Sequence, residues 1–218
     1  MIRQFYYSHW SKVIVKTLSP RKYPTQGRSR HTVDAVIQAA GQVLVAEGLQ
    51  RTTTHVIAKR AGVSVGTLYQ YFPNKESVFI ELQRRFSNSL YENIEEMLHT
   101  LRTLPLKDAI SLFVKGLISH IQKSPETWMA LLEHRNQFLP EDEKALRNHK
   151  LRALLAQLFF EKRDECHIQN FEFTSFVLVN VCESLTHNVL LECPQNLKNG
   201  VLESELTTLL SRYLLGAS

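Results

Sequence analysis

The amino-acid sequence predicts an all-α protein in two parts, and three observations carry that prediction. Apolar residues recur at three- and four-residue steps through most of the chain. β-Branched residues rarely alternate with polar ones between turn residues. A Gly-Val-Ser turn, Gly62 to Ser64, separates two short helical stretches. The parts are a three-helix module over 28–78, holding a helix-turn-helix, and a C-terminal helical domain over 79–218. With 218 residues the chain is long enough for one large core or two small ones.

Taken in order, residues 1–27 are aromatic and basic, hold no acid and show no clear period, so a flexible extension is expected there. The apolar piece "KVIVKTL" is too short for a signal-peptide core, and no small-residue cleavage site follows it. From Thr32 to Glu47, Val33, Val36, Ile37, Ala40 and Leu44 mark one face of a helix that ends at Gly48. Thr53 precedes a short helix to Ala61 and Ser64 another to about Tyr71, both hydroxyls being suited to cap a helix N-terminus.

Beyond Pro73 and Asn74, the positions Val78, Leu82, Phe86, Leu90, Ile94 and Met97 continue one apolar stripe along a long amphipathic helix. Prolines and polar breaks divide the remainder into five more helices. Their predicted spans are Leu106 to Lys123, Pro125 to Phe138, Glu141 to Glu165, Phe171 to Glu192 and Val201 to Leu215.

The net charge of +5 hides an asymmetry. Residues 1–91 hold 13 Lys and Arg against 4 Asp and Glu, whereas residues 92–218 hold 13 against 17. A basic module joined to a mildly acidic one points to a polyanionic partner for the first. Cys166, Cys182 and Cys193 form no C-x-x-C pair and have no histidine at finger spacing. That pattern fits free thiols in a reducing compartment, the cytoplasm, better than a disulfide framework or a zinc site. No apolar run approaches the roughly 18 to 20 residues of a membrane-spanning helix.

In "TTTHVIAKRAGVSVGTLYQYF", Ile57, Ala58 and Ala61 can pack the first short helix and Val63 and Leu68 the second. Gly62 between them permits the positive φ of a tight turn between crossed helices. With Leu68 in the core, Val65, Gly66, Thr67, Tyr69 and Gln70 are left outward on the second helix. Those positions touch base edges when such a helix enters a DNA major groove N-terminus first. Gln70 suits adenine, and the methyl groups of Thr67 or Val65 suit thymine. Phosphate contacts are expected from Thr53, Thr54 and Ser64 at the helix starts and from Thr67, Tyr71 and Lys75.

The run from Val36 to Val78 resembles the DNA-binding domain of the tetracycline-repressor (TetR) family. The matching features are Ala39-Ala40, Gly48, Thr52-Thr53, Ile57-Ala58, Ala61-Gly62-Val63-Ser64, Gly66-Thr67-Leu68-Tyr69, Tyr71-Phe72 and Lys75-Glu76. Two features depart from the family pattern. Leu44 and Val45 stand near a position that is usually aromatic, and the N-terminal extension exceeds the usual short basic lead.

The resemblance implies a homeodomain-like DNA-binding domain, a homodimer on a palindromic double-stranded operator, and repression relieved by a small apolar or amphipathic ligand. From residue spacing and composition, no enzymatic activity, no cofactor and no membrane partner are expected. Carried over by position, His55, Val65, Gly66, Tyr69 and Gln70 would contact bases, while Thr53, Thr54, Thr67, Tyr71 and Lys75 would hold phosphates. Arg28 and Arg30 would reach the minor groove. Tyr69 and Tyr71 cannot both point fully outward, and His55 is equally well read as a solvated side chain.

The last two long helices are where the family makes its subunit interface. The apolar surface expected there comes from Phe173, Phe176, Val177, Val181, Leu185, Val189, Leu206, Leu209, Leu210 and Leu214. A ligand pocket would draw its lining from Met97, Phe113, Leu117, His120, Trp128, Met129, Leu132, His134, Phe138 and Phe159, most of them doubling as core. No metal cluster, nucleophile-base pair, paired carboxylates or Gly-rich phosphate loop can be argued from spacing. Two rivals remain: a DNA-binding regulator governed by a protein partner or acting as an activator, and a helical enzyme or adapter.

Overall fold

The structure is a computed structural model that describes residues 27–134 and 141–216, with side chains over 29–134 and 149–216. The described residues are helical with no strand. The helices are α1 (Gly27–Arg51), α2 (Thr54–Ala61), α3 (Val65–Tyr71), α4 (Lys75–Thr103) and α5 (Leu106–Gln122). They continue as α6 (Pro125–Glu133), α7 (Glu141–Glu161), α8 (Phe171–Glu192), α9 (Gln195–Lys198) and α10 (Val201–Leu215). The chain forms two compact units. One takes the described residues up to Ser87 together with the stretch that opens at Ala130, and the other takes 88–129 and the chain from Glu141. Most of the N-terminal extension, 1–26, lies outside the described residues.

The first unit is built on α1, which is interrupted at Gly48. There φ is 73°, in the left-handed region. The Thr52 hydroxyl and its N–H both donate to the Gly48 carbonyl, at 2.7 and 3.2 Å, and close the break. Helices α1, α2 and α3 pack on one another. Val36, Ala40, Ile57, Ala58, Leu68, Phe72, Val78 and Phe79 share one buried cluster, and the apolar steps in the sequence anticipate all of these but Phe72 and Phe79. The start of α4 is fixed by a reciprocal cap: Ser77 N–H donates to Asn74 Oδ1 at 2.8 Å, and Ser77 Oγ donates to the Asn74 carbonyl at 2.7 Å. Arg85 then ties α4 to α1 through Asp34, at 2.5 Å, and pairs with Glu81 on its own helix at 3.1 Å.

In the second unit, α7 lies on α8 and α10 lies on α5 and α8. Leu101, Leu106, Ile118, Ile121, Leu178, Leu197 and Leu206 are fully enclosed. Two predicted spans end early for stated reasons. The helix expected over 125–138 is seen to Glu133, and 135–140 lie outside the described residues. The helix expected to run to Glu165 stops at Glu161, because Lys162 leaves helical geometry (φ −103°, ψ 22°) and a 3-10 turn, Arg163–Glu165, follows.

That turn makes a clasp. The buried Lys162 ammonium donates to the Leu104 carbonyl just past α4 and pairs with Glu165 at 3.5 Å. The Glu165 carboxylate accepts from the Leu106 N–H at the start of α5, at 2.5 Å. A cation thus meets a helix C-terminus and an anion a helix N-terminus, each matching the local dipole. The α5 start has Pro105 before it and no side-chain cap of its own, so the distant carboxylate supplies one.

Lys162→Ala leaves a half-buried carbonyl and a carboxylate without their cation. The expected cost is about 2–3 kcal/mol, seen as a lower denaturant midpoint at unchanged slope. The three cysteines are free thiols, and burial pushes the Cys182 thiol up to about 12.

Candidate nucleic-acid interface

The geometry of the two short helices follows from their caps. Thr53 is extended (φ −118°, ψ 161°), and its hydroxyl accepts from Val56 N–H at 3.3 Å, which starts α2. Gly62 ends α2 with φ 69°. Its N–H donates to the Lys59 carbonyl at 3.3 Å, and Val63 N–H donates to the Ala58 carbonyl at 3.0 Å. This paired closure needs a left-handed residue at 62, which glycine takes without a Cβ penalty. Ser64 starts α3 by accepting from Thr67 N–H at 3.0 Å, and its hydroxyl also bonds the Thr67 hydroxyl at 2.8 Å. Leu68 is fully buried beneath the helix.

The opposite face of α3 is open. Gly66, Tyr69 and Gln70 are exposed, with Ser64 before them and Thr53 and His55 at the start of α2. A Cβ placed on Gly66 would meet only Ser64 Oγ, at 3.7 Å, an ordinary contact. The protein itself therefore has no need of glycine at 66, and the bare backbone is a feature of the outer surface. From Gly48 to Lys75 the sequence has four Lys and Arg and no Asp or Glu. The face is uniformly positive or neutral.

Several expected contacts are rearranged. Thr54 is buried at 8% exposure and its hydroxyl bonds the Tyr69 hydroxyl at 3.1 Å. It is turned toward α3, which corrects its expected role as a phosphate holder. Val65 and Tyr71 are half-buried and pack on the core cluster, so Val65 offers little to a base edge and Tyr71 is the tyrosine that packs. Tyr69, at 38% exposure, is the one that faces out. Thr67 and Lys75 are half-buried and Arg30 exposed. Arg28 belongs to α1, but its side chain lies outside the described residues.

Sequence reasoning passed over Lys59 and Arg60, both exposed in the last turn of α2. Cations there also suit the helix C-terminus.

In the second unit an apolar cavity of about 20 Å³ is lined by Leu101, Leu106, Ala109, Ile110, Phe113, Leu155, Leu158, Phe159, Leu178, Leu210 and Leu214. Of the expected lining it contains Phe113 and Phe159. Leu132 and His134 belong to the other compact unit, and Phe138 lies outside the described residues. Met97 packs where a Cβ on Gly116 would stand, 2.4 Å from its sulfur, so it fills the α4–α5 contact. Leu117 and His120 are buried, and Trp128 and Met129 half-buried, without lining this cavity. Burial, with the Lys123 charge adding to it, holds the His120 imidazole below its usual pKa, and Nε2 lies 3.3 Å from the Ser89 hydroxyl.

The apolar surface of α8 and α10 also differs from expectation. Phe173, Phe176, Leu185 and Leu209 are exposed, and Val177, Val181 and Val189 half-buried. Leu206, Leu210 and Leu214 are buried in the unit's own core, because with Leu202 they form the four-step stripe of α10 that turns inward. The outward apolar positions on α10 are Val201, Leu209 and Tyr213, and Leu191 adds to those of α8. Phe173 and Phe176 stack at 5.8 Å, and the Arg152 guanidinium lies 4.4 Å from the Phe176 ring centre.

Residues 36–82 match the family described as bacterial regulatory proteins, tetR family, and residues 105–214 match the tetracyclin repressor-like C-terminal domain. Over 127 residues the chain is 28% identical to the nucleoid occlusion factor SlmA of Aliivibrio fischeri (strain MJ11), covering 58% of this chain and 60% of that protein. Over 91 residues it is 35% identical to the HTH-type transcriptional repressor KstR2 of Mycolicibacterium smegmatis, covering 42% and 43%. The chain thus spans about half the length of the curated relatives it matches. Among solved structures, the fatty acid degradation regulator FadR of Bacillus halodurans superposes with a TM-score of 0.64 at 22% identity. That match covers 87% of this chain and 96% of that one and shows a shared fold.

Proposed function

Since the chain belongs to the TetR family of bacterial regulatory proteins, we propose that it is a homodimeric, sequence-specific DNA-binding regulator, a repressor released from a palindromic operator by a small apolar or amphipathic ligand. The observation that carries the DNA reading is the outer face of α3. Gly66, Tyr69 and Gln70 are exposed there on a helix whose opposite side is locked by Leu68, within an acid-free stretch from Gly48 to Lys75. Such a face can enter a major groove, with Gln70 pairing an adenine edge and Gly66 letting backbone come near the bases.

Two substitutions separate base reading from phosphate holding. Gln70→Ala is expected to relax preference at one operator position, at a cost of about 1–3 kcal/mol on the preferred base. Lys75→Ala is expected to weaken binding to all duplexes alike and to lower the salt slope by about one. Equilibrium binding at several salt concentrations checks both. An unchanged base preference in Gln70→Ala would mean that the recognition face has been placed wrongly.

Dimerisation is assigned to the exposed residues of α8 and α10, Phe173, Phe176, Leu185, Leu209 and Tyr213, whose apolar area calls for a partner. Release is assigned to the apolar cavity. Leu101 of α4 lines it, and α4 is the helix that begins at Lys75, so a ligand widening the cavity would move a helix that also carries a phosphate contact. Two recognition helices must match half-sites about 34–36 Å apart, and a small displacement then costs one of the two dockings.

A second reading is a DNA-binding protein with no small-molecule release. Similarity to a nucleoid occlusion factor favours it. Release of the operator duplex by added hydrophobic small molecules separates the two readings.

A further inference from the structure

We infer that Thr54 is a positioning residue for DNA recognition, holding Tyr69 in the orientation in which it meets the nucleic acid; this rests on the DNA reading proposed above. The observation is a single hydrogen bond, 3.1 Å, between the Thr54 and Tyr69 hydroxyls. It joins two residues fifteen positions apart on the two helices of the motif.

The ends of this bond differ in character. Thr54 is buried in the first turn of α2, behind the Thr53 cap, and has no freedom to follow a ligand. Tyr69 is exposed on the face that would meet DNA. Binding has to select one rotamer of a side chain on an open helix face, and each contact that restricts the ring beforehand lowers that cost. Tethering its hydroxyl to a fixed partner makes that selection before binding.

Either hydroxyl can donate in this bond, and in both directions it needs the Thr54 oxygen. Valine at 54 has nearly the same shape and no hydroxyl. Serine keeps the hydroxyl and loses only a methyl group.

The same arrangement explains why Thr54 and Thr53 have different roles despite being neighbours of one type. The Thr53 hydroxyl is spent on the α2 backbone at Val56, while that of Thr54 crosses to α3. Thr54 would then affect recognition without touching DNA.

The test is a double-mutant cycle on the full chain with its own selected operator duplex, comparing Thr54→Val, Tyr69→Phe, the double variant and Thr54→Ser. Thr54→Val is expected to lose about fivefold in affinity, the worth of one hydrogen bond, at an unchanged melting midpoint. Tyr69→Phe is expected to lose at least as much, the double variant no more than Tyr69→Phe alone, and Thr54→Ser to regain wild-type binding. Base preference in Thr54→Val should broaden at the same operator positions as in Tyr69→Phe and nowhere else. Wild-type affinity in Thr54→Val, additive losses in the double variant, or no rescue by serine would each overturn the inference while leaving the DNA reading intact. A wild-type chain that selects no duplex would overturn the DNA reading and this inference with it.

Discussion

Gly66→Leu is expected to weaken operator binding by roughly 100-fold or more while leaving the protein at least as stable as before. Its effects inside and outside the molecule differ. Inside the molecule, a Cβ at 66 meets only the Ser64 hydroxyl at 3.7 Å, and the residue lies in the first turn of an exposed helix. Replacing glycine by a better helix former there removes a penalty of up to about 1 kcal/mol. Outside the molecule, the bare backbone is where α3 would approach base edges. A leucine side chain holds the helix off by more than the tolerance of a hydrogen bond, so contacts made by Tyr69 and Gln70 are lost together. At about 1–3 kcal/mol for each good base contact, affinity falls by roughly 100-fold or more. Thermal unfolding and duplex binding measured on one preparation check both effects, and a drop in melting midpoint would show that glycine serves the fold instead.

Phe72→Ala is expected to be the most destabilising change in the first unit. Phe72 is wholly buried, its N–H donates to the Leu68 carbonyl, and its ring sits in the cluster with Ile57, Ala58, Leu68, Val78 and Phe79. It is also the residue at which the chain leaves α3 in an extended conformation on the way to α4. Truncating a buried phenylalanine costs about 3–5 kcal/mol through lost transfer energy and the cavity left behind. That is a large share of the roughly 5–15 kcal/mol that holds a domain folded. The expected results are a melting midpoint lower by about 10 °C or more and loss of duplex binding. Phe72→Leu, which keeps most of the volume, should recover most of both.

How far the molecule could be read from its sequence depends on the range of the forces involved. The caps at Thr53 and Ser64, the glycine at 62 and the apolar steps of α1 act within one or two turns, and each of them is visible in the sequence as residue type and spacing. The break at Gly48 and the spans of α8 and α10 follow for the same reason. Interactions between distant residues were not legible. Thr54 and Tyr69, Arg85 and Asp34, and the reach of Glu165 to Leu106 join positions 15, 51 and 59 apart, and nothing in their local sequence marks the partner.

The mixed surface of α10 failed for a subtler reason. Leu206, Leu209, Leu210 and Leu214 are alike in type, and only the packing of α10 on α5 and α8 decides which of them face inward. The lining of the apolar cavity was not legible because it comes from five separate helices, whereas the sequence offers each helix alone. The short helix α9 after Pro194 escaped notice because four residues carry no period.

The central claim is that the exposed face of α3 reads a DNA sequence, and it is tested most directly by selecting bound duplexes from a random library with the purified chain. Selection at near-physiological and at higher salt separates base contacts from phosphate contacts. The account predicts enrichment of a palindrome with two half-sites about one helical turn apart, surviving the higher salt. Binding with no enriched sequence, lost as salt rises, would contradict it.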